Sequence, residues 1–393
     1  MFESSFKSPT AELPSMTEDE VRPGLEGVVA AETRLSYIDG QAGELIVGGF
    51  PLAELASNAT FEETVFLLWN DRLPNADELE TFREELAARR ALPEPAHGVL
   101  RAAADRGLPA MDAARMGTAA AALTREGPED PEEDARLAVA TLPTAVAAYW
   151  RYRNDEEPVE PREDLRHAAN YLYMLTGEEP DPDAVRGLET YLNGVVDHGL
   201  NASTFTARAI VSTESDVISA VTGAVGALKG PLHGGAPGPV LDTLFEVEEA
   251  DDSGEYVRAK LEAGERLMGF GHRVYDVRDP RAAVFEAAAE RFYEGQDGDG
   301  LLGTAREFEH VATDALAEHR PDLSLDTNVE FYTAILLHGV GIPRELFSAT
   351  FAVGRSGGWT AHCLEQRSNN RLIRPRSHYV GDRDRSWTPV EER

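Results

Sequence analysis

Along "ESDVISAVTGAVGALKG" apolar side chains return at Val217, Ala220, Val221, Ala224, Val225 and Leu228, the three-and-four spacing that lines one face of an α-helix. Gly230 and Pro231 follow and end it. The same periodicity runs through "ADELETFREELAARRAL", "PREDLRHAANYLYMLTG", "PRAAVFEAAAERFYEG" and "GTAREFEHVATDALAEHR", which predicts a mainly α fold. One stretch departs from it. In "VVAAETRLSYIDGQAGELIVGG" β-branched and aromatic residues flank an Asp39-Gly40 turn signal, predicting a small N-terminal β-hairpin region. The acidic, Gly- or Pro-rich stretches "EGPEDPEED", "RNDEEPVEPRED", "EVEEADDSGE" and "EGQDGDG" read as solvated loops. There is no fixed-period repeat and no sustained heptad, which argues against a solenoid or a coiled coil. No long linker divides the chain, so a helical domain interrupted by a smaller inserted one is expected.

Charge adds to this picture. The 393 residues, 42% of them hydrophobic, suffice for a substantial core, yet 70 acidic against 37 basic residues leave a net charge of -33. Such self-repulsion destabilises a compact state in dilute buffer. Lysine occurs only at Lys7, Lys229 and Lys260. The composition predicts a protein adapted to a high-salt cytosol, where the Debye length shrinks to about 3 Å at 1 M and surface repulsion is screened. Nucleic acid and anionic membranes are poor partners for this surface. No apolar run approaches the roughly 20 residues of a membrane span. Residues 1–20 lack the features of a signal or transit peptide and read as a flexible tail. The single cysteine, Cys363, excludes an intramolecular disulfide framework and fits a reducing, cytoplasmic compartment.

Candidate chemistry gathers in glycine-containing breaks. His198 lies in "VVDHGLNAST", His233 in "GPLHGGAPG", His272 in "MGFGHRVY" and His338 in "LLHGVGIP". Glycine beside histidine lets backbone approach a ligand while an imidazole projects into it. Familiar alternatives fail: "GFGHRV" has Val274 at the sixth position of a dinucleotide fingerprint, and "GPLHGGAPG" lacks the Gly-Lys-Ser/Thr of a P-loop. There is no His-Glu-x-x-His, no cysteine pair and no Gly-x-Ser-x-Gly, so neither a metal site nor a serine nucleophile is indicated. Arginines concentrate in "HRVYDVRDPRA", "AVGRSGGW" and "RLIRPRSHY", and guanidinium groups suit bidentate holding of carboxylates and phosphates. In "LDTNVEFYTA" one carboxylate, Glu330, stands among apolar residues. Thr327 and Glu330 have capping-box spacing, so from the residues alone Glu330 is either a helix cap or a chemical base. Together these groups suggest metal-free acid/base chemistry on a small polyanion.

"DHGLNASTF", "GPLHGGA", "GFGHRVYDVRDPRA", "TNVEFYTA" and "GRSGGWTAHCLEQ", in this order over nearly the whole chain, resemble the citrate synthase family. The resemblance implies a helical dimer of large and small domains, here 21–231 with 342–393 and 232–341, the small one closing over the substrates. It implies condensation of acetyl-CoA with oxaloacetate, then hydrolysis of citryl-CoA, with no cofactor beyond the thioester substrate and no metal. His233 matches the donor to the thioester carbonyl, His272 the group polarising the ketone, and Glu330 the general base. His198, Arg281, Arg355 and Arg374 match oxaloacetate positions, Arg374 reaching across the dimer; Arg273, Gly269 and Gly271 match coenzyme A positions. Glu330 stands where relatives usually carry Asp, and Pro237 where Asn is usual, as in a divergent "second citrate synthase" branch. The rival functions are 2-methylcitrate synthesis from propionyl-CoA and a non-catalytic acyl-CoA- or dicarboxylate-binding paralogue. A pocket distinguishes one methylene by only about 1–3 kcal/mol.

Overall fold

The computed structural model describes residues 21–125, 127, 129–233, 237–250, 252–271, 275, 277–294, 300–320 and 325–393; the expected tail, His272, Arg273 and most of "EGQDGDG" lie outside them. Sixteen α-helices and one three-stranded antiparallel sheet occur among the described residues. The sheet follows chain order, Ser36–Asp39, Glu44–Val47, Phe50–Pro51, with Tyr37 opposite Ile46 and Asp39 opposite Glu44. Its turn is made by the Asp39 carboxylate, which accepts from the N–H groups of Gln41 and Ala42 at 2.9 Å each.

The five periodic segments fall on the helices Ala76–Ala87, His167–Thr176, Val217–Leu228, Pro280–Tyr293 and Gly300–His319, the last starting three residues before its segment. Two of the expected loops are shorter than the sequence suggests. The helix Pro131–Arg153 begins inside "EGPEDPEED": Asp130 accepts from Glu132 N–H at 3.0 Å, Pro131 opens the first turn, and Glu132, Glu133 and Asp134 complement its positive end. Likewise "EVEEADDSGE" holds the end of Pro237–Glu249 and the start of Ser253–Glu262, capped by Asp252. Acidic residues here serve helix ends as well as solvent.

Residues 33–373 form one unit; 21–32 with 374–393 form another, largely exposed and containing the short turns Pro23–Leu25 and Val390–Glu392. No described helix is long and apolar enough to cross a membrane. Within 33–373 the helix Phe347–Ser368 packs against Pro131–Arg153, Pro182–Val195 and Ala202–Val211. Its glycines set how closely. A Cβ on Gly358 would overlap the Val196 carbonyl oxygen, and one on Gly354 would lie 2.7 Å from Val195 and 3.0 Å from the Leu192 carbonyl oxygen. The helix therefore lies almost on the backbone that leads into His198. Elsewhere, Phe270 bridges Thr327: Gly271 N–H donates to Asp326 at 2.8 Å and Asn328 N–H to Gly269 at 2.9 Å. Gly269, at φ 92°, leaves room for Phe331, which a Cβ would approach to 2.8 Å. This pairing fixes the approach to the helix Val329–Gly339.

Candidate active site

A cavity of about 390 Å³ within residues 33–373 brings together His198, His233, Arg281, Glu330 and Arg355. That volume falls in the usual range for small-molecule sites. Five stretches of chain far apart in sequence supply the five side chains, each held by its own local device.

Glu330 lies in the first turn of Val329–Gly339, and it is not a capping-box partner. Asn328 is the N-cap, its side-chain Oδ1 accepting from Glu330 N–H at 2.9 Å. Thr327, expected to cap, instead donates its hydroxyl to Glu309 at 2.5 Å, and Tyr332 donates to the other oxygen of Glu309 at 2.5 Å. The segment is thus clamped on both sides of Glu330, whose own carboxylate is left for the cavity. Burial raises its pKa above the ordinary carboxylate value, against the pull of Arg281 and Arg266.

His233 is governed by the helix Ala202–Val211, capped by Asn201. Ser203 N–H in its first turn donates to His233 Nε2 at 3.2 Å, and Ser203 Oγ lies 2.7 Å from the same nitrogen. A backbone N–H can only donate, so Nε2 carries the lone pair and the neutral ring bears its proton on Nδ1. Burial and then the Arg355 charge lower its pKa to about 4. This histidine is a neutral donor at physiological pH. Ser203 is itself fixed: Trp359 Nε1 donates to its Oγ at 3.0 Å, and that Oγ is 2.8 Å from Asn201 Oδ1.

Two guanidinium groups face this pair. Arg281 is buried and bound bidentately to Asp279, Nε to Oδ1 at 3.0 Å and Nη2 to Oδ2 at 2.7 Å. Arg355 is buried with Nε donating to the Val195 carbonyl at 2.5 Å, and its remaining nitrogens have no hydrogen-bond partner among the described residues. Burial and, further down, repulsion from Arg281 lower the Arg355 pKa to about 10, with Asp197 opposing. Two cations close enough to repel favour an anionic occupant with more than one carboxylate. His198, half-buried, places Nε2 3.1 Å from the Tyr275 hydroxyl.

Behind the cavity runs a chain of buried polar groups that sequence reading missed. Asp197 receives the Ser36 hydroxyl at 2.5 Å and meets His362 Nε2 at 3.1 Å; Arg208 Nε donates to His362 Nδ1 at 3.0 Å and Arg208 also pairs with Glu365. Ser36 in turn accepts from Gly199 N–H at 2.9 Å, tying the hairpin to the loop that carries His198. Asp197 and His362 were visible in "DHGLNAST" and "GRSGGWTAHCLEQ", but no spacing rule links positions 165 apart.

Among the other expected positions, Gly269 and Gly271 belong to the backbone pairing that precedes Glu330 and do not line the cavity. Arg374 is exposed, in the unit of 21–32 with 374–393. His338 lies in the last turn of Val329–Gly339, its ring edge-on to Phe245, and does not line the cavity.

The family described as "Citrate synthase, C-terminal domain" matches residues 24–376. The chain belongs to the citrate synthase family. It is similar to the citrate synthase of Haloferax volcanii, 44% identical over 95% of this chain and 99% of that protein, and to citrate synthase 2 of Bacillus subtilis, 42% identical over 94% and 98%. Among solved structures it is similar to the Thermoplasma acidophilum citrate synthase in ternary complex with carboxymethyl coenzyme A and oxaloacetate: TM-score 0.82, 30% identity, covering 95% of this chain and 100% of that one.

Proposed function

We propose that the cavity condenses acetyl-CoA with oxaloacetate and hydrolyses the resulting citryl-CoA, giving citrate and free CoA. The observation that carries this reading is the convergence of a neutral Nδ1–H donor on His233, a carboxyl of raised pKa on Glu330 and two guanidinium groups in one cavity.

A thioester α-proton is far less acidic than a carboxylic acid, so a carboxylate removes it only where the developing oxyanion is stabilised in place. Glu330 takes the proton from the acetyl methyl group while His233 donates to the thioester oxygen. The methyl carbon then attacks the ketone of oxaloacetate, forming the C–C bond, and His272 supplies the proton to the new alkoxide. Arg281, Arg355 and His198 hold the dicarboxylate, with Arg374 contributed by a second copy in a homodimer. Water finally attacks the thioester carbonyl and the C–S bond breaks. Residues 232–341, which supply His233, Arg281 and Glu330, close on the spans 21–231 and 342–393, which supply His198 and Arg355, excluding water from the enolate. The coenzyme A chain is held near Arg273, Gly269 and Gly271. The setting is a high-salt cytosol, as the net charge of -33 favours.

Release of free CoA is followed with a thiol reagent in molar potassium chloride, with acetyl-CoA or propionyl-CoA and oxaloacetate. Faster turnover of acetyl-CoA supports citrate synthesis. A preference for propionyl-CoA assigns 2-methylcitrate synthesis, and no release with either leaves a non-catalytic binder.

A further inference from the structure

Six tyrosines are buried among the described residues: Tyr149, Tyr152, Tyr171, Tyr191, Tyr275 and Tyr332. Five have a partner for the hydroxyl. Tyr149 donates to the Leu108 carbonyl at 2.6 Å, Tyr152 meets His97 at 3.2 Å, Tyr171 meets Thr350 at 3.0 Å, Tyr275 meets His198 at 3.1 Å and Tyr332 donates to Glu309 at 2.5 Å. Tyr191 is the exception: the residue is 0% exposed and its hydroxyl has no hydrogen-bond partner among the described residues. Buried phenols ordinarily find an acceptor or donor, because an unmet one forfeits its hydration without return.

The position of Tyr191 gives the reason. It sits on the helix Pro182–Val195, four residues before the Val195 carbonyl that anchors Arg355, and it lines the cavity with its ring packed on Phe285 at 5.4 Å. The charged groups that act on its hydroxyl are Arg355, Arg281 and Glu330, which also line the cavity. We infer that the Tyr191 hydroxyl is a further substrate-binding group, donating to a carboxylate oxygen of the four-carbon dicarboxylate held by Arg281 and Arg355. The inference rests on the dicarboxylate reading of the cavity. Between two guanidinium groups the occupant must be an acceptor, and a phenol kept protonated by burial has a proton to give. The unmet hydroxyl is then a preorganised group whose partner arrives with the substrate.

Tyr191→Phe removes the hydroxyl and little else. Oxaloacetate and acetyl-CoA binding are measured by calorimetry on full-length wild type and variant in molar potassium chloride, with melting temperatures of the unliganded proteins. The expected result is oxaloacetate affinity weakened about 10- to 100-fold, acetyl-CoA affinity unchanged, and a melting temperature equal to wild type or higher, since Phe leaves no unmet hydroxyl. Oxaloacetate affinity within about twofold of wild type overturns the inference. So does equal loss for both substrates with a lowered melting temperature, which places the hydroxyl in folding. Wild type that fails to bind oxaloacetate overturns the dicarboxylate reading itself.

Discussion

The backbone N–H of Ser203 donates to Nε2 of His233 across 3.2 Å, which holds the single proton of the imidazole on Nδ1. The helix start that supplies this N–H also disfavours a second proton, because its positive end faces the ring. With its pKa at about 4, His233 stays a neutral donor over the whole range above that value. His233→Ala is expected to lower kcat by about 10²–10³, the cost of one oxyanion donor, while KM for oxaloacetate changes little. Steady-state kinetics at saturating acetyl-CoA check this.

Glu330→Gln separates chemistry from capping. Asn328 and not Thr327 caps the helix, so removing the Glu330 charge leaves the cap intact. The expected outcome is a loss of about 10²–10⁴ in kcat with an unchanged melting temperature. Asn328→Ala, by contrast, costs about 1 kcal/mol of stability. A Glu330→Gln variant that turns over normally but melts early would mean that the side chain is structural.

The pH dependence follows from the same carboxyl. Burial raises its pKa above 4.5, so the base is ionised only above that elevated value and kcat falls as pH drops through it. Arg281 and Arg266 hold the shift back. Arg266→Gln should therefore move the acid limb of kcat to higher pH. Arg266 is exposed, so its influence is screened and the displacement should shrink in molar salt. Profiles at two salt concentrations read both effects.

Gly358→Ala tests the close helix contact. A Cβ there overlaps the Val196 carbonyl oxygen, next to Val195, which anchors Arg355. The helix must move outward, with a stability loss of about 1–3 kcal/mol and a raised KM for oxaloacetate as Arg355 is displaced. Chemical denaturation and kinetics of the variant measure the two.

Desalting is expected to unfold the protein. A net charge of -33 is tolerable only where salt screens it. Melting temperatures in molar and millimolar potassium chloride should differ widely; equal values would end the high-salt reading.

The sequence by itself determined the helices and the hairpin, because the three-and-four spacing and the Asp39-Gly40 turn act through neighbours in the chain. It also named His198, His233, Arg281, Glu330 and Arg355, since their motifs are short and in order, and the fold gathers all five in one cavity. What it left open was decided by contacts between distant residues. Both Thr327 and Asn328 could have capped the helix, and Asn328 does so because Glu309, on another helix, takes the Thr327 hydroxyl. The tautomer of His233 depends on an N–H from a residue 30 positions away. The Asp197–His362–Arg208 chain and the unmet hydroxyl of Tyr191 exist only once the helices Pro182–Val195 and Phe347–Ser368 are pressed together. Local physics writes periodicity and turns into a sequence, whereas a proton's position or a hydroxyl's lack of a partner depends on what the folded chain brings within about 3 Å of it.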